Sequence, residues 1–162
     1  MLCAEGRMRL CYAHLPEGVN EMDLYDRILE LSRQGFFCSQ ILMIMGMEAE
    51  GKDNPDLVRA VGGLNEGTGF SGDLCGCLTG GCCLLSYYLG KGEVEELEDE
   101  KYRKTLSDFA AWFREKTSGE YGGAKCAEIT GGDPGKRLEY CPGLIAETFE
   151  KCAEMLSERG AM

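Results

Sequence analysis

Apolar residues recur at spacings of three and four along most of this chain, and nowhere do they alternate convincingly with the period of two that marks a half-buried strand. From Glu21 the recurrence runs through Met22, Tyr25, Ile28 or Leu29 and Ser32 and stops near Gly35, which predicts an amphipathic helix. The run FFCSQILMIMGME comes next. Its Ile41–Met45 core is apolar on every side, so it predicts a helix buried at the centre of the domain, with Met43, Met45 and Met47 as adaptable filling. Asn54-Pro55 predicts the start of a third helix, because proline at the first helical position gives up only an unpaired N–H. Its apolar stripe is Leu57, Val58, Val61 and Leu64.

Gly62, Gly63, Gly67, Gly69 and Gly72 then predict a flexible or tightly turned connection. Asp73 is the expected N-cap of a fourth helix, Leu74–Leu89. The segment EVEELEDEKYRKTLSDFAAWFREKTSGE is acidic first and basic later, as the helix dipole prefers. Tyr102, Leu106, Phe109 and Phe113 share one face there, with Trp112 beside them, so a long amphipathic helix is expected. Gly119–Gly135 reads as loop with one short turn near Cys126, and Asp133-Pro134-Gly135 as a turn. Pro142–Arg159 closes the chain as a helix with the stripe Ile145, Phe149, Cys152 and Leu156, and Cys141 just ahead of it.

These elements predict an all-α, single-domain bundle of about five or six helices, in which a Gly-rich loop leads into a buried Cys-rich helix. Residues 1–20, broken by Pro16 and Gly18, read as an N-terminal arm, and residues 21–162 as the helical domain. No internal repeat appears, and 162 residues suffice to bury a real core.

The charge narrows the function. With 28 acidic against 17 basic residues the net charge is −11, which opposes nucleic acid and anionic membrane surfaces as partners. The opening MLCAEGRMRLCYAH has no apolar run of signal-peptide length. The most apolar stretches, Phe36–Met47 and Leu74–Leu89, fall short of the roughly 20 residues a membrane span needs. A soluble, cytoplasmic protein is expected. The glycine run leads into no Gly-Lys-Ser/Thr and does not read as a strand-to-helix fingerprint, so nucleotide binding is excluded.

Ten cysteines then change the picture. In a reducing compartment they point to metal binding or thiol chemistry rather than a disulfide framework. Free Cys also fills cores, which is the reading of Cys82, Cys83 and Cys152. His14 is the sole histidine and lies in the polar arm with Cys3 and Cys11, so a Cys–His or Ser–His catalytic pair is not expected. Cys38, Cys75 and Cys141 each fall at or near an expected helix start, where unpaired N–H groups favour a thiolate. Asp73 works against that at Cys75. The Cys75-Gly76-Cys77 pair would point about 200° apart on one helix, whereas Cys75 and Cys82 would share a face. There is no CxxC, which removes the thioredoxin motif, the zinc ribbon and the ferredoxin run. Any site must be assembled from separate helices.

Gly35-Phe36-Phe37-Cys38-Ser39-Gln40, a Gly-rich stretch, Cys75-Gly76-Cys77-Leu78-Thr79-Gly80 running on to Tyr88-Leu89-Gly90, Tyr121-Gly122-Gly123-Ala124-Lys125-Cys126, and then Cys141 stand in that order along the chain. This series resembles the C_GCAxxG_C_C family, small redox-active prokaryotic proteins with four characteristic cysteines and a CGAxxG motif. The resemblance spans roughly Glu21 to Leu156 and implies Cys38, Cys75, Cys126 and Cys141 as the four, with Cys77 standing where the motif has Ala. Cys82, Cys83 and Glu66 also depart from the family pattern.

Three readings stand in order. The first is a cytoplasmic thiol–disulfide protein, a candidate thiol oxidoreductase with no cofactor. Its four cysteines would converge near the Gly-rich loop, with Cys75 attacking and Cys38 or Cys141 resolving. Its partner would be a redox protein or a small molecule. The second uses the same four thiolates, helped by Cys77, to hold zinc or an Fe–S cluster. The third is a non-enzymatic, partner-binding helical module with core cysteines, its acidic Glu93–Glu100 surface solvated or facing the partner. A homo-oligomer fits any of the three.

Overall fold

The computed structural model describes residues 24–162; the arm read over 1–20, with Cys3, Cys11 and His14, lies outside the described residues. Leu24, Ile28 and Leu31, spaced by four and three, bury one face of α1, Leu24–Arg33. In α2, Cys38–Glu48, the residues Ile41, Leu42, Met43, Met45 and Met47 are all buried, as an all-round apolar helix requires. The Asn54 side chain accepts from the Leu57 N–H at 3.1 Å and caps α3, Pro55–Val61, which a 3₁₀ turn at Gly62–Leu64 continues. Then come α4, Gly76–Leu89, α5, Tyr102–Tyr121, α6, Cys126–Thr130, and α7, Pro134–Glu158. The fold is all-α and single-domain, with seven helices and no strand among the described residues. The short α6 occupies the turn expected near Cys126.

Three boundaries differ from the sequence expectation, each for a physical reason. The N-cap of α4 is Cys75, not Asp73: the Cys75 thiol accepts from the Cys77 N–H at 3.4 Å, while Asp73 pairs with Lys125 at 3.3 Å. The acidic segment 93–101 stays outside α5. Its Val94 and Leu97 side chains are exposed and pack on nothing, so no burial offsets the repulsion among its carboxylates. Glu96 instead accepts from the Gly92 and Glu93 amides at 2.6 and 3.0 Å, and both Asp99 oxygens accept from Arg159 at 2.7 Å. Finally, the last helix starts eight residues before Pro142. Asp133 accepts from the Gly135 N–H at 2.7 Å and Pro134 opens α7, so the supposed turn is a helix start. Pro142 is buried inside the helix, where its ring removes one i to i−4 bond.

Helix α4 is the middle of the molecule, packed against α2, α5 and α7. Its Leu84 and Leu85 meet Ile41, Leu42, Phe109, Phe113, Leu144 and Phe149 in the main core. Met43, Met47 and Val61 form a smaller cluster with Leu57, Val58 and Leu64, the expected α3 stripe. Glycines let α4 sit this close. A Cβ at Gly81 would collide with the Phe109 ring, and one at Gly80 would lie 2.7 Å from the Ser39 Cα.

Between the 3₁₀ turn and α4 the backbone coils the wrong way. Glu66, Gly67, Thr68, Gly69 and Phe70 take φ of +48°, +82°, +58°, +66° and +60° in succession. For each non-glycine residue in that region the strain is about 1–2 kcal/mol. Beyond it, residues 72–75 zip against 124–127. The Cys126 N–H donates to the Asp73 carbonyl at 2.8 Å, the Cys75 N–H to Ala124 at 3.0 Å, and Ala127 to Gly72 at 3.0 Å.

Candidate functional site

The two zipped segments bring the starts of α4 and α6 together at the start of α2, and cysteines gather there. Cys38 is the first residue of α2, behind an extended Phe37 whose N–H donates to the Gln40 side chain at 3.4 Å. Cys75 caps α4 and Cys77 is its second residue; the first is 5 % exposed and the second fully buried. Cys126 opens α6. Cys141, half-buried, lies within α7 rather than at a helix start, so the dipole gives it no activation and that expectation is corrected.

Gly76 fixes how closely the first two elements meet. A Cβ there would strike the Cys38 sulfur, so only glycine lets the α4 backbone carry Cys77 alongside Cys38.

The thiols differ sharply in acidity. Hydrogen bonding from the Cys77 thiol lowers Cys38 to about 7, against the opposing effect of burial, and the amides of Glu66, Ser39 and Cys38 itself add to the lowering. Cys77 moves the other way, well above the usual thiol range, because it hydrogen-bonds Cys38 and Cys75 and is desolvated. Burial pushes Cys126 up, and the neighbouring Cys75 and Cys38 push further. Burial also takes Cys141 to about 12, with Cys38, Cys75 and Cys126 adding to the rise and Arg137 opposing it. Cys38, Cys75, Cys126 and Cys141 thus lie near enough to influence one another's acidity. Cys77, a departure from the motif on the sequence reading, bonds both Cys38 and Cys75.

Over this centre sits a small polar and aromatic cover. Arg137 on α7 ion-pairs with Glu66 of the left-handed turn and lies 5.8 Å above the Phe37 ring. Phe37 meets Phe70 edge-on at 5.8 Å, and Phe70 is 60 % exposed. Beneath the turn, Ser39 and Asn65 are buried and hydrogen-bonded to each other at 2.5 Å. Phe37 and Ser39 belong to the series that carries the family resemblance, whereas Asn65, Phe70 and Arg137 carry no sequence signal for the site. Only the Cys-Gly-Cys pattern, a small residue forced between two thiols, could have pointed to Cys77.

Of the other described cysteines, Cys152 lies in the core as expected, whereas Cys82 and Cys83 are partly buried and pack against its edge. Cys82 is raised to about 11 by burial. Cys83 packs on the Met43–Met47 cluster, and the fully buried Cys152 donates to the Gly81 carbonyl at 3.8 Å. All eight described cysteines are free thiols. No three His, Cys, Asp or Glu side chains among the described residues are arranged to hold a metal ion. No helix among the described residues is long and apolar enough to cross a membrane.

Residues 36–155 match the model of the family described as "Putative redox-active protein (C_GCAxxG_C_C)". The chain belongs to this family. No curated protein and no solved structure matches it.

Proposed function

We propose that this family member is a thiol–disulfide redox protein in which Cys38 is the attacking thiolate and Cys77 the resolving thiol. The observation that carries the reading is the contact between a depressed thiol and a buried one: Cys38, near 7, is partly ionised at neutral pH beside a Cys77 that keeps its proton. The family's own letters support the choice of Cys77. A Cys, then Gly-Cys-Ala-x-x-Gly, then two more Cys lie on Cys38, on Gly76-Cys77-Leu78-Thr79-Gly80-Gly81, and on Cys126 and Cys141, with Leu78 in place of Ala. In that register both outer glycines of the motif are ones that a Cβ would crowd, Gly76 against Cys38 and Gly81 against Phe109, as one at Gly80 would crowd Ser39. Cys75 becomes the additional thiol, and its attacking role passes to Cys38.

In the first step the Cys38 thiolate attacks one sulfur of a substrate disulfide. A new S–S bond forms, and the other substrate sulfur leaves as thiolate and takes a proton from water. Bonding to Cys38 is the largest cause of the Cys77 rise. Mixed-disulfide formation cancels the Cys38 charge, so Cys77 loses its proton more readily at the step that needs it. The Cys77 thiolate then attacks the Cys38 sulfur and expels the second substrate thiolate. Two electrons have passed from two thiols to one disulfide. The active cycle needs reduction of the Cys38–Cys77 disulfide by a further dithiol donor.

The test is a thiol count by alkylation and mass spectrometry before and after exposure to oxidised glutathione. Two thiols are expected to disappear, mapped to Cys38 and Cys77, and Cys38→Ser is expected to prevent the loss of Cys77. A Cys38→Ser chain that still loses the Cys77 thiol at the original rate, or a wild-type count that never changes, sinks the reading in favour of a helical module with core cysteines.

A further inference from the structure

A buried amide side chain inside an apolar bundle needs partners, and those of Asn65 all lie on the first turn of α2. Its Oδ1 accepts from the Ser39 hydroxyl at 2.5 Å, and its Nδ2 donates to Gln40 Oε1 at 2.9 Å. Ser39 also reaches the Val61 carbonyl at 2.9 Å, and Gln40 donates to the Val58 carbonyl at 3.3 Å. Asn65 is 2 % exposed and Ser39 is fully buried. The network therefore joins the two residues after Cys38 to the residue just before Glu66.

Immediately after Asn65 comes the left-handed run 66–70, which contains three non-glycine residues in a strained region. Such a run persists only when its surroundings over-determine it. From within, the Asn65 side chain grips α2 and its carbonyl accepts from the Phe70 N–H at 3.1 Å. From outside, Arg137 holds the Glu66 carboxylate. The Glu66 peptide is clamped between the two, and it runs beside the sulfur: a Cβ at Gly76 would strike Cys38 Sγ while lying 3.7 Å from the Asn65 Cα and 3.1 Å from the Leu64 carbonyl. The Glu66 amide is one of the groups that lower Cys38.

We infer that Asn65 is a positioning residue, holding the left-handed turn in register with the start of α2 so that the Glu66 amide faces the Cys38 sulfur. It acts on the chemistry only through that amide. The inference rests on the reading of Cys38 as the attacking thiolate.

The experiment is the pH dependence of Cys38 alkylation by iodoacetamide, read by mass spectrometry on the full chain, together with thermal melting. Asn65→Ala is expected to move the Cys38 midpoint up by about half a pH unit or more, which is about a threefold loss of thiolate at low pH. Thr148→Ala is the control. Thr148 is as buried as Ser39 and donates to the Leu144 carbonyl at 2.7 Å on α7, far from the turn in sequence. It is expected to lower the melting temperature without moving the midpoint. An Asn65→Ala chain that melts lower but titrates as wild type overturns the inference. Should Asn65→Ala fail to fold, Ser39→Ala, which removes the 2.5 Å bond, is held to the same criterion. A wild-type midpoint at the ordinary thiol value of 9.0 would remove the attacking-thiolate premise itself, a different failure from an unmoved variant.

Discussion

At the scale of single residues, one sulfur is made acidic by a neighbour that holds its own proton more tightly than usual. Cys38 owes its acidity first to Cys77, a thiol that is held protonated. Cys77→Ala should therefore raise the midpoint of Cys38 alkylation, and Cys77→Ser, which keeps a donor, should restore part of the shift. An unmoved midpoint in both would locate the acidity in the Glu66, Ser39 and Cys38 amides instead. The same contact makes Gly76 intolerant. Gly76→Ala puts a methyl group on the Cys38 sulfur and should destabilise the chain by about 1–3 kcal/mol in denaturant unfolding, with slower Cys38 alkylation. These roles were partly readable in advance. That cysteines at helix starts would matter came from the dipole, and Cys38 fits. Which of Cys75 and Cys77 faces Cys38 could not be read, because spacing gives an angle on one helix and not the helix opposite.

Helices α2 and α4 were legible because each is apolar all round, a pattern with one outcome in a bundle. The start of α7 was not. Asp-Pro-Gly satisfies both a turn and a helix N-terminus, and Pro142 offered a second plausible start that tertiary packing overrode. The cap makes this checkable: Asp133→Ala should cost about 1 kcal/mol, as N-cap losses do, whereas a plain turn residue would cost little. Misplacing that boundary also misplaced Cys141 relative to the helix dipole. Between elements, Gly81→Ala should push Phe109 off α4 and cost about 1–3 kcal/mol, read from the unfolding midpoint.

Over the whole molecule, the buried and half-buried thiols set a limit on alkaline stability. Cys82 is raised to about 11 and Cys141 to about 12, and Cys152 is also raised, all chiefly by burial. Each binds its proton more tightly folded than unfolded. Their contribution is thus fully present below pH 9.0 and is lost as pH climbs from there through 11 and 12. Reduced protein should show a falling unfolding midpoint over that range, and Cys152→Ala should flatten the slope. A midpoint constant from pH 8 to about 11 would contradict the burial of these groups.

The short zip between residues 72–75 and 124–127 has a temporal meaning as well. It joins segments some fifty residues apart, and Cys141 comes later still, so the centre belongs to the late, long-range part of folding. While the chain is being synthesised, Cys38, Cys75 and Cys77 emerge well before the segments that will enclose them. Until α6 and α7 arrive, those thiols lack the part of their enclosure that Ile129, Leu144 and Ile145 supply. Arrival of these late helices, rather than formation of any one earlier helix, is the event that encloses the cysteines together.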